Sequence, residues 1–284
     1  MSSGPQPQPL LKWAGGKRQL IGAILERLPR RIETYYEPFV GGGAVFFALA
    51  SERRFSRAVL SDQNAELIET YQAVQADVDG VIAALRRLPH SEEDYYRIRA
   101  QRPRLPTTRA ARMIYLNRTG YNGLYRVNRS GQFNVPFGRY TQPKICDEDR
   151  LRAVAQALRG VEIRVADFEQ TAERAGPRDA VYFDPPYVPI SATSRFAEYQ
   201  SQIFGDAEHR RLAELFERLW QRGVRAVLSN SNTPRTREIF GHLAHDFVEA
   251  RRSINSNGTR RGPILELLVH GPAPSYRRVA GERA

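Results

Sequence analysis

The segment VYFDPPYVP, residues 181–189, places a carboxylate, two prolines and an aromatic ring directly after an apolar run. Proline lacks a backbone N–H and has a fixed φ, so two prolines in a row end a strand. The first proline also keeps Asp184 in an extended conformation. The segment therefore predicts rigid hydrogen-bond acceptors, one side chain and backbone carbonyls, aimed at a ligand at the end of a strand.

A second candidate site is the glycine turn in EPFVGGGAVF, residues 37–46, which follows a predicted strand and opens a predicted helix. Such a turn lets a ligand approach the backbone at a helix N-terminus. Phe46 stands where a dinucleotide fingerprint has its third glycine, which weakens a dinucleotide interpretation. Asp62 ends the next predicted strand about 20 residues after Gly41, where an acidic residue commonly binds ribose hydroxyls. The pattern indicates a nucleoside ligand, and a purely structural glycine loop is the alternative.

The segment LLKWAGGKRQL, residues 10–20, surrounds an Ala-Gly-Gly turn with Lys12, Trp13 and Lys17. A surface turn with a packed tryptophan would explain it. Next to a nucleoside loop, however, Trp13 and Lys17 become candidates for an aromatic and a charged side of the nucleoside-binding pocket.

The elements that must position these residues alternate between β-rich runs and amphipathic runs. Strands are predicted at 34–39, 57–61, 161–166, 180–184, 225–230, 246–252 and 264–270, and helices at 17–27, 44–53, 64–75, 207–222 and 234–241. This alternation predicts an α/β fold with a doubly wound mixed sheet, whose last two strands form an antiparallel edge.

Residues 65–146 interrupt that rhythm with arginine-rich helical sequence followed by a segment rich in Gly, Asn and aromatic residues. Within it, VNRSGQFNV predicts a β-hairpin that turns near Ser130 and Gly131. We expect this block to be an insertion in the α/β sheet.

The charge favours a polyanionic partner. The chain has 43 Lys+Arg against 31 Asp+Glu, a net charge of +12, and basic residues cluster at 97–112 and 251–262. Interleaved polar residues and glycines suit phosphate contacts, although an arginine-rich proteome would also raise the charge. The single cysteine, Cys146, excludes an internal disulfide and a cysteine-rich metal cluster, so we expect no metal site and a cytoplasmic location. Neither a signal peptide nor an apolar run of about 18 residues is present, so no membrane association is expected.

Six segments resemble, in order, the motifs of the Dam-type DNA adenine-N6 methyltransferases, the D12 class with the alpha order of motifs. They are LKWAGGK (11–17), EPFVGGGAVF (37–46), SDQN (61–64), NRTGYNGLYRVNRSGQFNVPFGRY (117–140), DPPYVPISAT (184–193) and RRSINSNGTRR…ELL (251–268). The resemblance implies a Rossmann-like, class I SAM-dependent methyltransferase domain with an inserted, mainly helical DNA-recognition domain that carries the hairpin. The implied boundaries are a flexible lead-in at 1–9, the catalytic domain at 10–64 and 147–272, the recognition domain at 65–146 and a flexible tail at 273–284. A monomer is expected.

The resemblance also implies S-adenosylmethionine as the cofactor. The residues implied to contact it are Trp13, Lys17, Glu37, Phe39, Gly41, Asp62, Asp167, Phe168 and Asp184. Asp62 would bind the ribose hydroxyls, and Trp13 and Lys17 would border the methionine end. Asp167 would accept a hydrogen bond from the adenine amino group with Phe168 packed beside it, unless Asp167 is an ordinary carboxylate at a strand end.

For the DPPY segment the resemblance implies catalysis. The exocyclic amine of adenine is a poor nucleophile because its lone pair is delocalised into the ring. Acceptors on both N–H groups, the Asp184 carboxylate and the Pro185 carbonyl, would draw that nitrogen toward sp³ character. Tyr187 would stack on a base that has left the duplex. The alternatives are a methyltransferase acting on N4 of cytosine, in which serine is commoner at position 184, and an inactive DNA-binding relative.

Double-stranded DNA is the implied partner and GATC the implied target. Arg126 would read a guanine, because arginine donates two hydrogen bonds to O6 and N7, and Leu124 would make an apolar contact beside it. Tyr121 and Asn122 would lie near the extruded base, with a place for Tyr121 in the hairpin core as the alternative. Further implied DNA contacts are Lys12, Pro136 and Arg139, and the arginines implied to contact phosphates are Arg251, Arg252, Arg260 and Arg261.

Overall fold

The computed structural model describes residues 6–13, 17, 19–128, 130–188, 204–251 and 263–271. In these residues the strands are β1 Ile32–Glu37, β2 Phe55–Asp62, β3 Glu162–Val165, β4 Ala180–Phe183, β5 Arg225–Ser231, β6 Ala244–Arg251 and β7 Pro263–Gly271. They form one sheet in the order β3-β2-β1-β4-β5-β7-β6. The pairs β1–β4, β4–β5 and β2–β3 are parallel, whereas β7 runs antiparallel to both β5 and β6. The predicted mixed α/β sheet and its antiparallel edge are confirmed.

The helices follow the amphipathic runs of the sequence. They are α1 Ile21–Arg27, α2 Ala44–Ser51, α3 Ala65–Ala76, α4 Val78–Arg86, α5 Glu92–Ala100, α6 Pro106–Thr119, α7 Glu148–Ala157, α8 Phe168–Ala172, α9 Asp206–Gln221 and α10 Pro234–Phe240. The helix predicted from residue 17 begins only at Ile21, because Gln19 and Leu20 lie in a turn. None of the helices in the described ranges is long and apolar enough to cross a bilayer.

The chain divides into two compact units. The first unit contains the described residues up to 17 together with 40–54 and 58–167, and the second contains 19–39, 55–57 and the described residues from 168 onward. In the first unit α6 packs on α3 and α4 around buried tyrosines such as Tyr71 and Tyr115. In the second unit all four residues of β4 are buried. The proposed insertion boundaries at 65 and 146 stay a prediction, and the predicted tail at 273–284 lies outside the described residues.

The predicted hairpin is present in the first unit. Val127 and Phe133 form an antiparallel bridge, and the Asn128 N–H donates to the Gln132 carbonyl at 2.8 Å. Gly131 has a φ of +70°, a left-handed conformation that glycine adopts without a Cβ clash. The turn therefore falls where the Ser-Gly pair predicted it.

Candidate active site and nucleic-acid interface

Asp184 directly follows β4 and is oriented by the neighbouring parallel strand β5. The Ser229 hydroxyl donates to Asp184 Oδ1 at 3.3 Å, and Ser229 Oγ lies 2.8 Å from the Tyr182 hydroxyl oxygen. Ser229 Oγ therefore contacts both the Asp184 carboxylate and the Tyr182 hydroxyl, and either hydroxyl of the Tyr182–Ser229 pair can be the donor. A relay of two buried hydroxyls thus sets the direction of the Asp184 carboxylate.

The other end of the DPPY segment is also attached to the sheet of the second unit. The Tyr187 hydroxyl donates to Glu266 Oε2 at 2.7 Å. The N–H of Val188 donates to Asn230 Oδ1 at 3.2 Å, and its carbonyl accepts from Ser231 Oγ at 2.6 Å. Burial raises the pKa of Tyr187 well above its ordinary value, so the phenol stays protonated. Side chains of β5 and β7 therefore fix both ends of the tetrapeptide.

Glu37 is a buried carboxylate at the end of β1. It is 2% exposed and accepts a hydrogen bond from the Tyr35 hydroxyl at 2.8 Å. Since Tyr35 lies opposite Ala180 in the parallel β1–β4 pair, Glu37 is level with Tyr182. Glu37 and Asp184 therefore emerge at the carboxyl ends of adjacent parallel strands, where α/β sheets bind their ligands.

Phe39 and Phe168, both predicted to line the cofactor pocket, meet in an aromatic cluster of the second unit. Their ring centroids are 5.5 Å apart with 25° between the ring planes, and Phe204 meets Phe39 edge-on at 5.5 Å. The Arg211 guanidinium lies 4.3 Å from the centroid of Phe168. Phe168 is only 1% exposed, whereas Phe39 is half-buried. Phe39 is thus the member of this pair with accessible ring surface.

The glycine turn and Asp62 form the corresponding site of the first unit. The Gly41 N–H donates to Asp62 Oδ2 at 3.2 Å, and the Asn64 N–H donates to Asp62 Oδ1 at 3.0 Å. The Gly41 carbonyl accepts from the Tyr71 hydroxyl at 3.0 Å. Two backbone N–H groups, one at each oxygen, therefore orient the Asp62 carboxylate.

Trp13 lies against this glycine turn. A Cβ added to Gly41 would be 2.7 Å from Trp13 Cδ1, and Gly41 has a φ of +45°, so glycine is required for two reasons. Trp13 also contacts Tyr125, whose ring stacks on the indole with centroids 5.2 Å apart. Lys17 is 4% exposed.

Asp167 follows β3, the parallel neighbour of β2. Asp62 lies opposite Val165 in that pair, so Asp62 and Asp167 emerge at the same edge of the sheet. The Gln63 side-chain amide donates to Asp167 Oδ2 at 3.3 Å. The carboxylate is half-buried, which leaves it accessible to a ligand.

The residues predicted to contact DNA lie on the surface of the first unit. Exposed side chains are Lys12, Tyr121, Asn122, Arg126, Pro136 and Arg139, and Leu124 is half-buried. Tyr121 is 53% exposed, which excludes the alternative of a hairpin-core tyrosine. Its N–H donates to the Pro136 carbonyl at 2.9 Å, and the Lys12 ammonium lies 5.1 Å from the centroid of Tyr140.

Arg126 is held by Asn134 across the hairpin. Arg126 Nε donates to Asn134 Oδ1 at 2.7 Å, and one terminal nitrogen donates to the Asn134 carbonyl at 3.1 Å. Sequence reasoning missed Asn134. The observed bridge between Val127 and Phe133 pairs position 126 with position 134, whereas counting outward from a two-residue Ser130-Gly131 turn pairs it with position 135, so the predicted turn was one residue short of the signal.

Three other contributors were missed in the second unit. Ser229, Asn230 and Glu266 hold the DPPY segment from β5 and β7. The polar run at the end of the apolar β5 was a usable signal for the first two. Glu266 is the first residue of ELL in the last family motif, but its contact with Tyr187 depends on the antiparallel placement of β7.

The basic residues of segment 97–112 were predicted to contact phosphates, and for Arg112 this prediction is wrong. This residue is 6% exposed, donates to the Ile98 carbonyl at 3.1 Å and pairs with Glu66 at 3.1 Å. Arg102 and Arg104 are exposed and keep that interpretation as a prediction. The side chain of Arg251 and the whole of Arg252, Arg260 and Arg261 lie outside the described residues.

Comparisons with known proteins match most of the chain. Residues 13–254 match the family described as D12 class N6 adenine-specific DNA methyltransferase. The chain is 41% identical to the type II methyltransferase M.MjaIII of Methanocaldococcus jannaschii, over 92% of this chain and 98% of that protein. It is 38% identical to the type II methyltransferase M1.LlaDCHI of Lactococcus lactis subsp. cremoris, over 92% and 94% respectively. It is 39% identical to the DNA adenine methylase of Escherichia coli K12, over 91% and 93%.

Proposed function

Because the chain belongs to the D12 class of N6 adenine-specific DNA methyltransferases, we propose that it methylates N6 of an adenine that has left the duplex, within GATC, with S-adenosylmethionine as the donor. Membership of this family supports the assignment of the reaction class. The observation that carries the site is the attachment of the DPPY segment at both ends, through Ser229 to Asp184 and through Glu266 to Tyr187.

The residues at the strand ends fit S-adenosylmethionine, which when bound supplies a methyl group activated by a positively charged sulfur. Asp62 offers an oriented carboxylate for the ribose hydroxyls, and the glycine turn beside it lets a ligand approach the backbone. Asp167 offers an acceptor for the adenine amino group. For Glu37, which is buried in the second unit and accepts a hydrogen bond from Tyr35, the proposed cofactor contact rests on the family resemblance alone.

The chemistry assigned to Asp184 and Pro185 is hydrogen-bond acceptance. One N–H of the target amine donates to the carboxylate and the other to the Pro185 carbonyl, so the nitrogen lone pair becomes available for attack on the methyl carbon. The Ser229 hydroxyl donates to Oδ1 and so orients the carboxylate that is proposed to accept from the amine. On methylation, the Asp184 carboxylate would accept the proton that N6 loses and pass it to water, and the donor would leave as the neutral thioether S-adenosylhomocysteine. Positioning and electrostatics supply the acceleration, and no covalent enzyme intermediate is needed.

Tyr187 is the proposed stacking surface for the target base. Its hydroxyl is fixed on Glu266, which restricts rotation of the ring. A phenol is neutral at physiological pH, and burial raises the pKa of Tyr187 further, so its hydroxyl stays a hydrogen-bond donor to Glu266. A base taken out of the duplex loses its stacking neighbours, and an oriented aromatic ring compensates for part of that loss.

Sequence recognition is assigned to Arg126. Its two hydrogen bonds to Asn134 orient the exposed guanidinium, and three of the five arginine N–H donors are not used in them, which is enough for the two acceptors of guanine. The GATC target rests on the match of residues 117–140 to the recognition hairpin of the family. Transfer to N4 of cytosine is not favoured, because both the family match and the aspartate at position 184 point to adenine.

The test is methylation of matched duplexes. The purified protein is incubated with S-adenosylmethionine and duplexes that contain either GATC or a single-base variant of it, and the nucleosides are then measured by mass spectrometry. We expect N6-methyladenine in the GATC duplex and at least tenfold less in each variant. N4-methylcytosine as the product would refute the substrate assignment, and equal methylation of all duplexes would refute the target sequence.

A further inference from the structure

Tyr125 connects the two proposed functional regions of the first unit. It precedes Arg126 in the hairpin, and adjacent residues of an extended segment point to opposite sides. Arg126 is exposed, whereas the half-buried ring of Tyr125 stacks on Trp13 with centroids 5.2 Å apart and 24° between the ring planes. Arg126, on the proposed DNA side, is therefore covalently joined to Tyr125, which contacts the proposed cofactor side.

The stack on Trp13 leads directly to the glycine turn. The indole is so close to Gly41 that a Cβ there would be 2.7 Å from Trp13 Cδ1. The Gly41 N–H is bonded to Asp62, the proposed ribose ligand. A shift of the Tyr125 ring would therefore displace the indole that packs on this turn, since close-packed side chains transmit displacement.

A second route runs through Glu66. The Tyr125 hydroxyl donates to Glu66 Oε2 at 3.0 Å, and Glu66 lies in the first turn of α3. The residue that caps α3 is Asn64, whose N–H donates to Asp62 Oδ1 at 3.0 Å. Both oxygens of Asp62 are thus connected to Tyr125, one through Trp13 and Gly41 and the other through the start of α3.

Glu66 is itself fixed in the helical core. Its Oε1 pairs with Arg112 at 3.1 Å, and Arg112 also donates to the Ile98 and Arg99 carbonyls at 3.1 and 2.6 Å. Because the Arg112 side chain is almost fully buried, this pairing holds Glu66 in one position. The acceptor for the Tyr125 hydroxyl is therefore rigid.

We propose that Tyr125 is a positioning residue that couples cofactor binding to DNA recognition, an inference that rests on the proposed function. A cofactor that orders Trp13 and Asp62 fixes the surface on which Tyr125 packs, and so sets the backbone that carries Arg126. By linkage, DNA bound to Arg126 tightens cofactor binding by the same factor.

The test is a binding cycle with S-adenosylhomocysteine, the unreactive product of the cofactor. Its Kd is measured for the wild type and for Tyr125→Leu, each alone and with a saturating duplex that the wild type methylates. We expect the duplex to tighten binding about 5-fold or more in the wild type, within the usual range of coupling, and less than 2-fold in Tyr125→Leu. Tyr125→Phe, which keeps the stack and loses the Glu66 bond, should fall between these two values.

Val81→Ala is the control. Val81 is a fully buried residue of α4 in the same unit and lies outside the chain of contacts from Tyr125 to Asp62. Its replacement should lower the Tm and leave the ratio of the two Kd values at the wild-type level. A merely structural role for Tyr125 would weaken cofactor binding with and without DNA alike, and an unchanged ratio in Tyr125→Leu overturns the proposal.

Failure of the proposed function would be seen separately. A wild type that methylates no adenine would refute that function and this inference together. A wild type that methylates adenine but binds S-adenosylhomocysteine equally well with and without DNA would refute the coupling alone.

Discussion

Ser229 Oγ lies 3.3 Å from Asp184 Oδ1, so the carboxylate proposed to hold the target amine is itself held by the next strand of the sheet. The same hydroxyl is 2.8 Å from that of Tyr182. The direction of the acceptor therefore depends on the pairing of β4 with β5, two strands that are parallel and buried. The predictions for catalysis start from this contact.

Replacing Asp184 by alanine should abolish methyl transfer, because one of the two acceptors for the amine is lost. The protein should remain folded by circular dichroism and should bind DNA in a gel-shift assay. Glu214→Ala, an exposed carboxylate on α9 of the same unit, is the control and should keep full activity. Turnover at the wild-type rate in Asp184→Ala would remove Asp184 from the mechanism.

Ser229→Ala should lower kcat and leave the affinity for DNA unchanged. A hydrogen bond to a charged group contributes about 1.5–3 kcal/mol, and each 1.36 kcal/mol of barrier is about tenfold in rate. We therefore expect a loss of about tenfold in single-turnover rate, measured at saturating DNA and cofactor. If only the KM for DNA changes, Ser229 acts in binding and does not orient the carboxylate.

Gly41→Ala should weaken cofactor binding, because the new Cβ would be 2.7 Å from the Trp13 ring. Gly160→Ala is a matched control in the same unit, since Gly160 also has a positive φ, +71°, and open space where the Cβ would be. Both variants should lose about 1 kcal/mol or more of stability from backbone strain. Only Gly41→Ala should raise the Kd for S-adenosylhomocysteine in calorimetry. Equal Kd values for the two variants would show that Trp13 does not belong to the cofactor site.

Arg126→Ala should lose about 1–3 kcal/mol of discrimination at one guanine of the target. Asn134→Ala should lose less at that same guanine, because the guanidinium remains but is no longer oriented. Arg104→Ala, in the exposed basic segment, should weaken binding to all duplexes equally and reduce the salt dependence. Competition binding with single-base variants measures all three, and uniform weakening by Arg126→Ala would make that residue a phosphate contact.

We expect the protein to lose stability as the pH is lowered below neutral, and we attribute this loss to His209. Burial lowers the pKa of this histidine from 6.5 to about 4. The unfolded chain therefore binds a proton at higher pH than the folded chain, and stability is lost as the pH falls from 6.5 toward 4. The loss approaches about 3 kcal/mol, because each pH unit between the two pKa values contributes about 1.4 kcal/mol.

Denaturant unfolding at pH 7.5 and 4.5 checks this slope. His209→Gln should reduce the difference in the free energy of unfolding between the two pH values. His242→Gln changes an exposed histidine and should keep the wild-type difference. If His209→Gln has the same pH dependence as the wild type, other groups cause the acid sensitivity.

Local patterns predicted the strands and five of the helices in the described residues, but not the helices α7 and α8. Each of the strands predicted from apolar runs is present within two residues of its expected ends, and the Ser130-Gly131 turn lies at the tip of the hairpin. Such features follow from the residues themselves, since periodicity and turn chemistry act over a few positions of the chain. The six family motifs likewise identified the reaction class that the comparisons bear out.

Only the tertiary structure revealed what holds the functional residues. Ser229 and Glu266 support the DPPY segment from strands far along the chain, and Tyr125 meets Trp13 across more than a hundred residues. Arg112, which resembles a phosphate ligand in sequence, is buried beside Glu66. Which residues become partners is set by strand order, register and helix packing, and these depend on contacts between distant segments that a local sequence pattern does not specify.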